Sequence, residues 1–377
     1  MGLVSWSVFT AVLATVLYMT AKVRDFEYNV VKLTPVRPLT GKLAQTPENT
    51  LTEIDHLLEG EVHGPECQLI HEGALYSTTL SGAIVKIVDG KIVKSLELFK
   101  NNPKCRVNGC SQPLGMRHWK DETFVFADGE LGMFTVDFKT EKFKQILPAG
   151  TVLGDWSNMF ADDFDFIDND TIIFSDMNPK CGFEEFSLCF LELARDGRLI
   201  KLNLNTGAYE ILADNLLSPN GIISHPDKQS IILSSTAASQ LLRFYYAGPK
   251  KGNVEVFADG LPGLPDNLRA TSSGKTFWIA FYLSSVGNRP LMQRFSEYPT
   301  IRKFISYYSD LLIPMNMYLA SNHAVIIEMD FDGNVVSSVH ELEGRLKALT
   351  NVIDDGKYLY FGSVHHNYIR RAKKPGA

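Results

Sequence analysis

The chain has 377 residues, 45% of them hydrophobic and 21% charged, with a formal net charge of −6. That composition is enough to bury a large core and excludes a natively disordered chain. The mildly acidic balance, with no basic stripe, excludes nucleic acid as a main partner.

In chain order, Leu3–Ala21 carries no charge and is long enough to cross a bilayer. Bulky Tyr18 and Met19 stand where a cleavage site needs small residues, so residues 1–24 read as a signal anchor in preference to a cleaved signal peptide. If the segment is cleaved, the rest is secreted. Lys22 and Arg24 come directly after the apolar run, and the positive-inside rule would keep the remainder of the chain in the cytosol. The cysteines argue for the other side. Cys105 and Cys110 lie five apart and Cys181 and Cys189 eight apart, which suits two local disulfides in an oxidising lumen and leaves Cys67 unpaired. Neither pair has the spacing of a zinc finger. Asn169-Asp170-Thr171 is a glycosylation sequon at a predicted turn, in keeping with a lumenal or extracellular domain.

Residues 25–57 form a proline-containing lead-in with room for one strand, and residues 373–377 a tail. Between them, over 58–372, one phrase recurs six times: a Pro- or Gly-marked loop, a strand, a turn, and further strands of β-forming residues. Glu66, Leu114, Asp162, Asn220, Asp266 and Ala348 are taken as the equivalent points. Their separations are 48, 48, 58, 46 and 82 residues, against about 40–50 for a propeller blade. The 58 absorbs the Cys181–Cys189 loop, and the 82 absorbs Ser284–Asn322, whose apolar residues recur at helical spacing. The pattern predicts an all-β, six-bladed β-propeller with a helical insertion over 284–322. A β-sandwich or a solenoid is the competing architecture.

In a propeller, the loops leading into the innermost strands converge on the central channel. Four of the six equivalent points carry oxygen side chains: Glu66, Asp162 with Asp163, Asn220, and Asp266 with Asn267. Carboxylates so close repel and raise one another's pKa unless a divalent cation sits among them. Calcium accepts six to eight hard oxygens in loose geometry, which suits this set. Each motif alone is an ordinary polar turn, and only their coincidence at matching positions points to a metal.

The motifs Gly64-Pro65-Glu66, Gln112-Pro113-Leu114-Gly115, Phe160–Asp165, Gly197–Lys201, Ser218-Pro219-Asn220-Gly221, Gly260–Arg269 and Phe361–His365 resemble those of strictosidine-synthase-like proteins of the adipocyte plasma membrane-associated (hemomucin) type. That group lies in the superfamily of six-bladed calcium-dependent phosphotriesterases, with paraoxonases and gluconolactonases. The resemblance covers about residues 60–372, and implies a short N-terminal anchor with a lumenal propeller. It implies calcium ligands at Glu66, Asp162, Asn220 and Asp266, with Asn267 as a further oxygen. Asp162 stands where the family usually has asparagine. The histidine pair that assists hydrolysis in paraoxonases would fall on Leu114 and the Asp128-Gly129 turn, so that device is missing. His118 is expected to pack or face solvent. His365 and His366 stand near the same mouth, where such a pair is more often without a role.

The expected function is a membrane-anchored, calcium-dependent hydrolase of arylesterase or lactonase type, taking a small-molecule ester or lactone, with Asp266 activating water or attacking directly. The alternatives are a non-catalytic cell-surface binding propeller and a metal-free condensing enzyme like the plant synthases.

Overall fold

The computed structural model describes residues 26–99, 110–182 and 185–376, together with Thr10, Leu13 and Ala14. Its strands form six four-stranded antiparallel sheets, five of them built from consecutive strands. The sixth joins three C-terminal strands, Val352–Asp354, Tyr358–Phe361 and Ile369–Lys373, to an N-terminal strand, Asp55–Leu57, which falls inside the expected lead-in. Asp55 pairs with Arg371 and Leu57 with Ile369, so the two ends of the propeller are held by one ladder. The ring is thereby closed, and the innermost strand of each blade keeps only a short edge, turned to the central channel.

The strands form where β-branched and aromatic residues run together. Thr171–Asp176 (T-I-I-F-S-D) is buried at every position, as a second strand covered by a blade on each face must be. Outer strands such as Lys91–Glu97 alternate exposed and part-buried residues, because only one face meets a neighbour. Apolar clusters lie between the blades. One packs Val125, Ala127 and Met133 of the second blade against Phe164, Ile172 and Phe174 of the third.

The expected single helix over 284–322 is three: α2 (Leu291–Arg294), α3 (Pro299–Ser306) and α4 (Ser309–Leu319). Pro299 opens α3, where its missing N–H leaves no intrahelical bond unmade. No local pattern announced a further helix, α1 (Phe186–Glu192), which carries Cys189 of the cysteine loop and packs against α3 and α4. The lead-in runs along the fifth blade. Arg37 N–H donates to Gly260 O at 2.8 Å and Leu51 N–H to His340 O at 2.8 Å before the chain becomes the closing strand. The predicted membrane run Leu3–Ala21 lies outside the described residues except for those three. No helix among the described residues is long and apolar enough to cross a membrane.

Candidate functional site

At the start of each innermost strand, or just before it, one side chain is delivered to the channel. Pro65-Glu66, Pro113-Leu114, Ala161-Asp162, Pro219-Asn220, Pro265-Asp266 and Leu349-Thr350 are the six equivalent pairs. Glu66, Leu114, Asp162, Asn220, Asp266 and Thr350 all line one cavity of about 190 Å³. The sequence expectation set Ala348 at the sixth point. That is corrected by two residues: Ala348 sits in a left-handed turn (φ 54°), and Thr350 faces the cavity and donates its hydroxyl to Glu66 O at 2.8 Å.

Four of the innermost strands shift register at this point, between Pro113 and Met116, Ala161 and Phe164, Pro219 and Ile222, and Pro265 and Leu268. Such a bulge sets extra residues against a partner strand and re-aims their side chains. It lets Asp162 line the cavity while Asp163, next in sequence, bonds two arginines. Arg117 Nη1 donates to Asp163 Oδ1 at 3.1 Å, and Arg269 Nη1 to Oδ2 at 2.8 Å. The Ile222 N–H adds a third donor at 3.0 Å. Asp163 has 0% exposure; burial alone would raise its pKa, but the two guanidiniums prevail and hold it below the ordinary value. Arg269 was part of the Gly260–Arg269 motif singled out in the sequence. Arg117 was not singled out, because it lies four residues into its strand with no motif to mark it.

The carboxylates facing the cavity are perturbed the other way. Burial pushes Glu66 up to about 7, with Arg269 opposing. Burial, then the charges of Glu66 and Asp163, push Asp162 well up; burial, then Asp162 and Glu66, do the same to Asp266. Counting all as ionised, Glu66, Asp162, Asp163 and Asp266 against Arg117 and Arg269 leave two negative charges in excess. A single divalent ion matches that excess.

Asn267 Nδ2 donates to Glu66 Oε1 at 2.6 Å, and Asn220 Nδ2 to Asp162 Oδ2 at 3.3 Å. Three buried oxygens then have no hydrogen-bond partner among the described residues: Glu66 Oε2, Asn220 Oδ1 and Asn267 Oδ1. A buried acceptor without a donor costs about 1–3 kcal/mol, so three together mark a place where something else is meant to bind. Carboxylate and amide oxygens are what calcium prefers, and this donor set fits it. It is a mixed set: among the described residues no group of three or more His, Cys, Asp or Glu stands placed to hold a metal ion.

Beside these polar groups the cavity wall is apolar. Leu80, Leu114, Phe160, Met177, Phe186 and Met292 are among its walls. Phe186, from α1, stacks on Phe160 (centroids 6.1 Å) and lies 5.3 Å from Phe190 of the same helix, whose loop is tied down by the Cys181–Cys189 disulfide. Cys110 is also disulfide-bonded, and Cys105, its expected partner, lies outside the described residues. Cys67 is free and buried, as expected, with Arg269 Nη2 at 3.2 Å from its sulfur.

His365 does line the cavity, and its Nε2 lies 2.6 Å from Tyr282 Oη. Burial pushes His365 down, and burial with the nearby Asp266 charge pushes the Tyr282 hydroxyl up, so both rings are neutral at physiological pH. Tyr282 was invisible in the sequence because it belongs to a nine-residue apolar strand, Thr276–Ser284. His366 turns away to stack on Tyr368 (5.0 Å). His118 stacks on His71 (3.8 Å) away from the cavity, as expected. Asp128 accepts from Ser111 Oγ and the N–H groups of Gln112, Glu130 and Leu131, and so shapes its own loop. Asn169 is exposed, in the turn after Ala161–Phe166 at the end of the blade away from the cavity.

A strictosidine synthase family model matches residues 162–249, and a model for the N-terminal part of strictosidine-synthase-like proteins matches residues 46–87. The adipocyte plasma membrane-associated protein of Salmo salar is 29% identical over 335 residues, covering 86% of this chain and 78% of its own. The chain is similar to strictosidine-synthase-like proteins. The hemomucin-type adipocyte plasma membrane-associated protein of Drosophila melanogaster is 26% identical over 388 residues, covering 93% and 66% of the two chains. Among solved structures, the calcium-binding protein regucalcin of Agrobacterium tumefaciens superposes with a TM-score of 0.55 at 14% identity, covering 87% of this chain and 96% of its own. A gluconolactonase of Xanthomonas campestris gives 0.55 at 14% identity, covering 94% and 99%. These two likenesses establish the shared propeller fold and nothing further.

Proposed function

We infer that the channel is the active site of a calcium-dependent hydrolase of small apolar esters or lactones, with Glu66, Asp162, Asn220, Asp266 and Asn267 holding the ion. The observation that carries this reading is the set of three unpartnered buried oxygens in a channel with two excess negative charges. A bound calcium would polarise the substrate carbonyl and stabilise the charge that develops on its oxygen.

The chain's own residues do the rest. The apolar wall of Phe160, Phe186 and Met292 receives the acyl or aryl part of the substrate and excludes bulk water. Asp266 takes the proton of an attacking water whose oxygen bonds to the carbonyl carbon. The C–O bond to the alcohol then breaks, and the departing oxygen receives that proton. Tyr282 and His365, hydrogen-bonded to each other on the wall, offer a neutral acid–base pair where the expected histidine device is absent. Anchoring at a membrane with a lumenal propeller accords with the names of the relatives and with the disulfides.

Purified full-length protein is tested for bound calcium by elemental analysis, then assayed on aryl esters and lactones with and without chelator. Asp266→Asn is expected to lower turnover by about 10²–10⁴-fold, the usual worth of a positioned general base. Unchanged turnover in that variant removes Asp266 from the mechanism. Bound calcium without turnover on any ester or lactone would leave a binding propeller that keeps the ion for stability.

A further inference from the structure

We propose that the exposed apolar face of α3 and α4 rests on a lipid bilayer. Tyr298, Ile301, Phe304, Leu311, Met315 and Tyr318 are all solvent-exposed, Phe304 at 61% and Tyr318 at 86%. Ile301, Phe304 and Tyr308 succeed one another at three and four residues, as do Leu311, Met315 and Tyr318, which is the spacing of one helix face. Elsewhere the exposed apolar residues stand singly, as Val93 and Val152 do, or in pairs, as Val254 and Val256 do; a gathered aromatic patch on two helices calls for more. Phe, Leu and Tyr on one face are what a helix presents when it lies in the headgroup layer.

The chain itself points to the occupant. The other side of these helices clamps the start of the lead-in. The buried Arg302 guanidinium donates to the carbonyls of Asn29, Leu191 and Phe295. Val31 N–H donates to Ser296 O at 3.1 Å, and Phe26 and Val31 share an apolar cluster with Met292, Ile305 and Met317. Phe26 is therefore fixed against the insertion. Only Lys22–Asp25 separate it from the charge-free run Leu3–Ala21. Five Cα steps reach at most about 18 Å, so a bilayer holding that run starts beside the exposed face. A second protein would need no such placement.

The consequence concerns the site. α1 and α2 supply Phe186, Phe190 and Met292 to the cavity wall, and α1 packs against α3 and α4. Docking the outer helices on lipid sets that wall against the acyl phase. If the channel is a hydrolase, as inferred above, its substrates are esters or lactones with an apolar tail that partition into the bilayer.

The test uses full-length protein reconstituted in phosphatidylcholine vesicles, with an environment-sensitive fluorophore at Phe304→Cys or Tyr318→Cys. Lys275→Cys, in the exposed turn after Gly263–Ala270 at the opposite end of the propeller, is the control. A nitroxide carried on the lipid chains is expected to quench the first two labels several-fold more than the third, and aqueous iodide to quench them several-fold less. The proposal is overturned if the labels at 304 and 318 respond to both reagents as the control does. Protection from both reagents, which means cover by protein, overturns it as well. Separately, Phe304→Asp/Tyr318→Asp is expected to lower turnover of a vesicle-dissolved lactone at least fivefold and leave a water-soluble one unchanged. Absence of turnover on both lactones in the parent protein counts against the hydrolase reading alone, because the labels decide the docking.

Discussion

Asp163→Asn is the substitution whose cost derives most directly from the geometry. The native carboxylate accepts from Arg117 at 3.1 Å, from Arg269 at 2.8 Å and 3.1 Å, and from the Ile222 N–H at 3.0 Å, all at 0% exposure. Asparagine keeps the shape and one acceptor oxygen but removes the charge that both guanidiniums share. Breaking a buried ion pair from one side costs about 3–5 kcal/mol, because the partner remains charged and out of water. Arg269 is only 6% exposed and cannot turn to solvent, so the upper half of that range is expected. Urea unfolding at saturating calcium, followed by fluorescence and extrapolated linearly, measures the loss. Arg269→Met added to Asp163→Asn should then recover at least about 1 kcal/mol, since it removes the stranded charge and neighbours in one network couple by amounts of that size. A single-variant loss below about 1 kcal/mol, or a double variant worse than the single, refutes the reasoning.

Three further outcomes are expected. In metal-depleted protein, burial raises Glu66 from its usual 4.5 to about 7. Its stabilising protonated form is thus complete below pH ~4.5 and lost as pH rises through ~7, worth about 3 kcal/mol at 1.36 kcal/mol per unit; a metal-free melting profile flat between pH 5 and 8, or one that calcium does not lift at pH 8, contradicts this. Replacing Cys181 and Cys189 by serine opens a loop with a sequence separation of 8. That should cost about 2–3 kcal/mol in thermal unfolding and raise KM through the loosened α1 wall; an unaltered KM speaks against α1 as part of the site. In Gly221→Ala the new Cβ runs into the backbone of Asp266 and Asn267. A loss of about 1–3 kcal/mol with weakened calcium retention is expected, measured by melting and elemental analysis, and a fully stable, calcium-replete variant counts against the close packing of these two strands.

The repeat was legible because each blade has the same two needs, a marked turn toward the channel and strands that must be covered on both faces. Pro65, Pro113, Pro219 and Pro265 mark four of the turns, and the residue after each is where the sequence placed it. The sixth turn has neither proline nor glycine at that point. Its reversal is made by Ala348 in a left-handed conformation, which nothing in local composition signals, and the channel residue was read two positions early. Arg117, Tyr282 and the aromatic residues of α1 were missed for a different reason. Each belongs to a segment whose local pattern is ordinary, and each reaches the site only through ring closure and packing of segments far apart in sequence.

The arrangement also explains why the channel separates its charges into two layers. Near the mouth, Glu66, Asp162 and Asp266 face the cavity with amides between them, and burial raises the pKa of all three. Further along the same strands, Arg117, Asp163 and Arg269 form a closed set with one net positive charge. Were the arginines nearer the mouth, they would neutralise the carboxylates directly and leave no demand for a cation. Were they absent, three or four buried carboxylates would all have to hold protons, and Asp163 could not stay ionised. Asp163 therefore sets the balance. It occupies both guanidiniums, so the mouth keeps a negative excess of the size one divalent ion carries, while the field of the remaining positive charge restrains how far Glu66 rises. If the channel holds calcium, as inferred above, the calcium content of the Asp163→Asn protein should fall even where its fold survives.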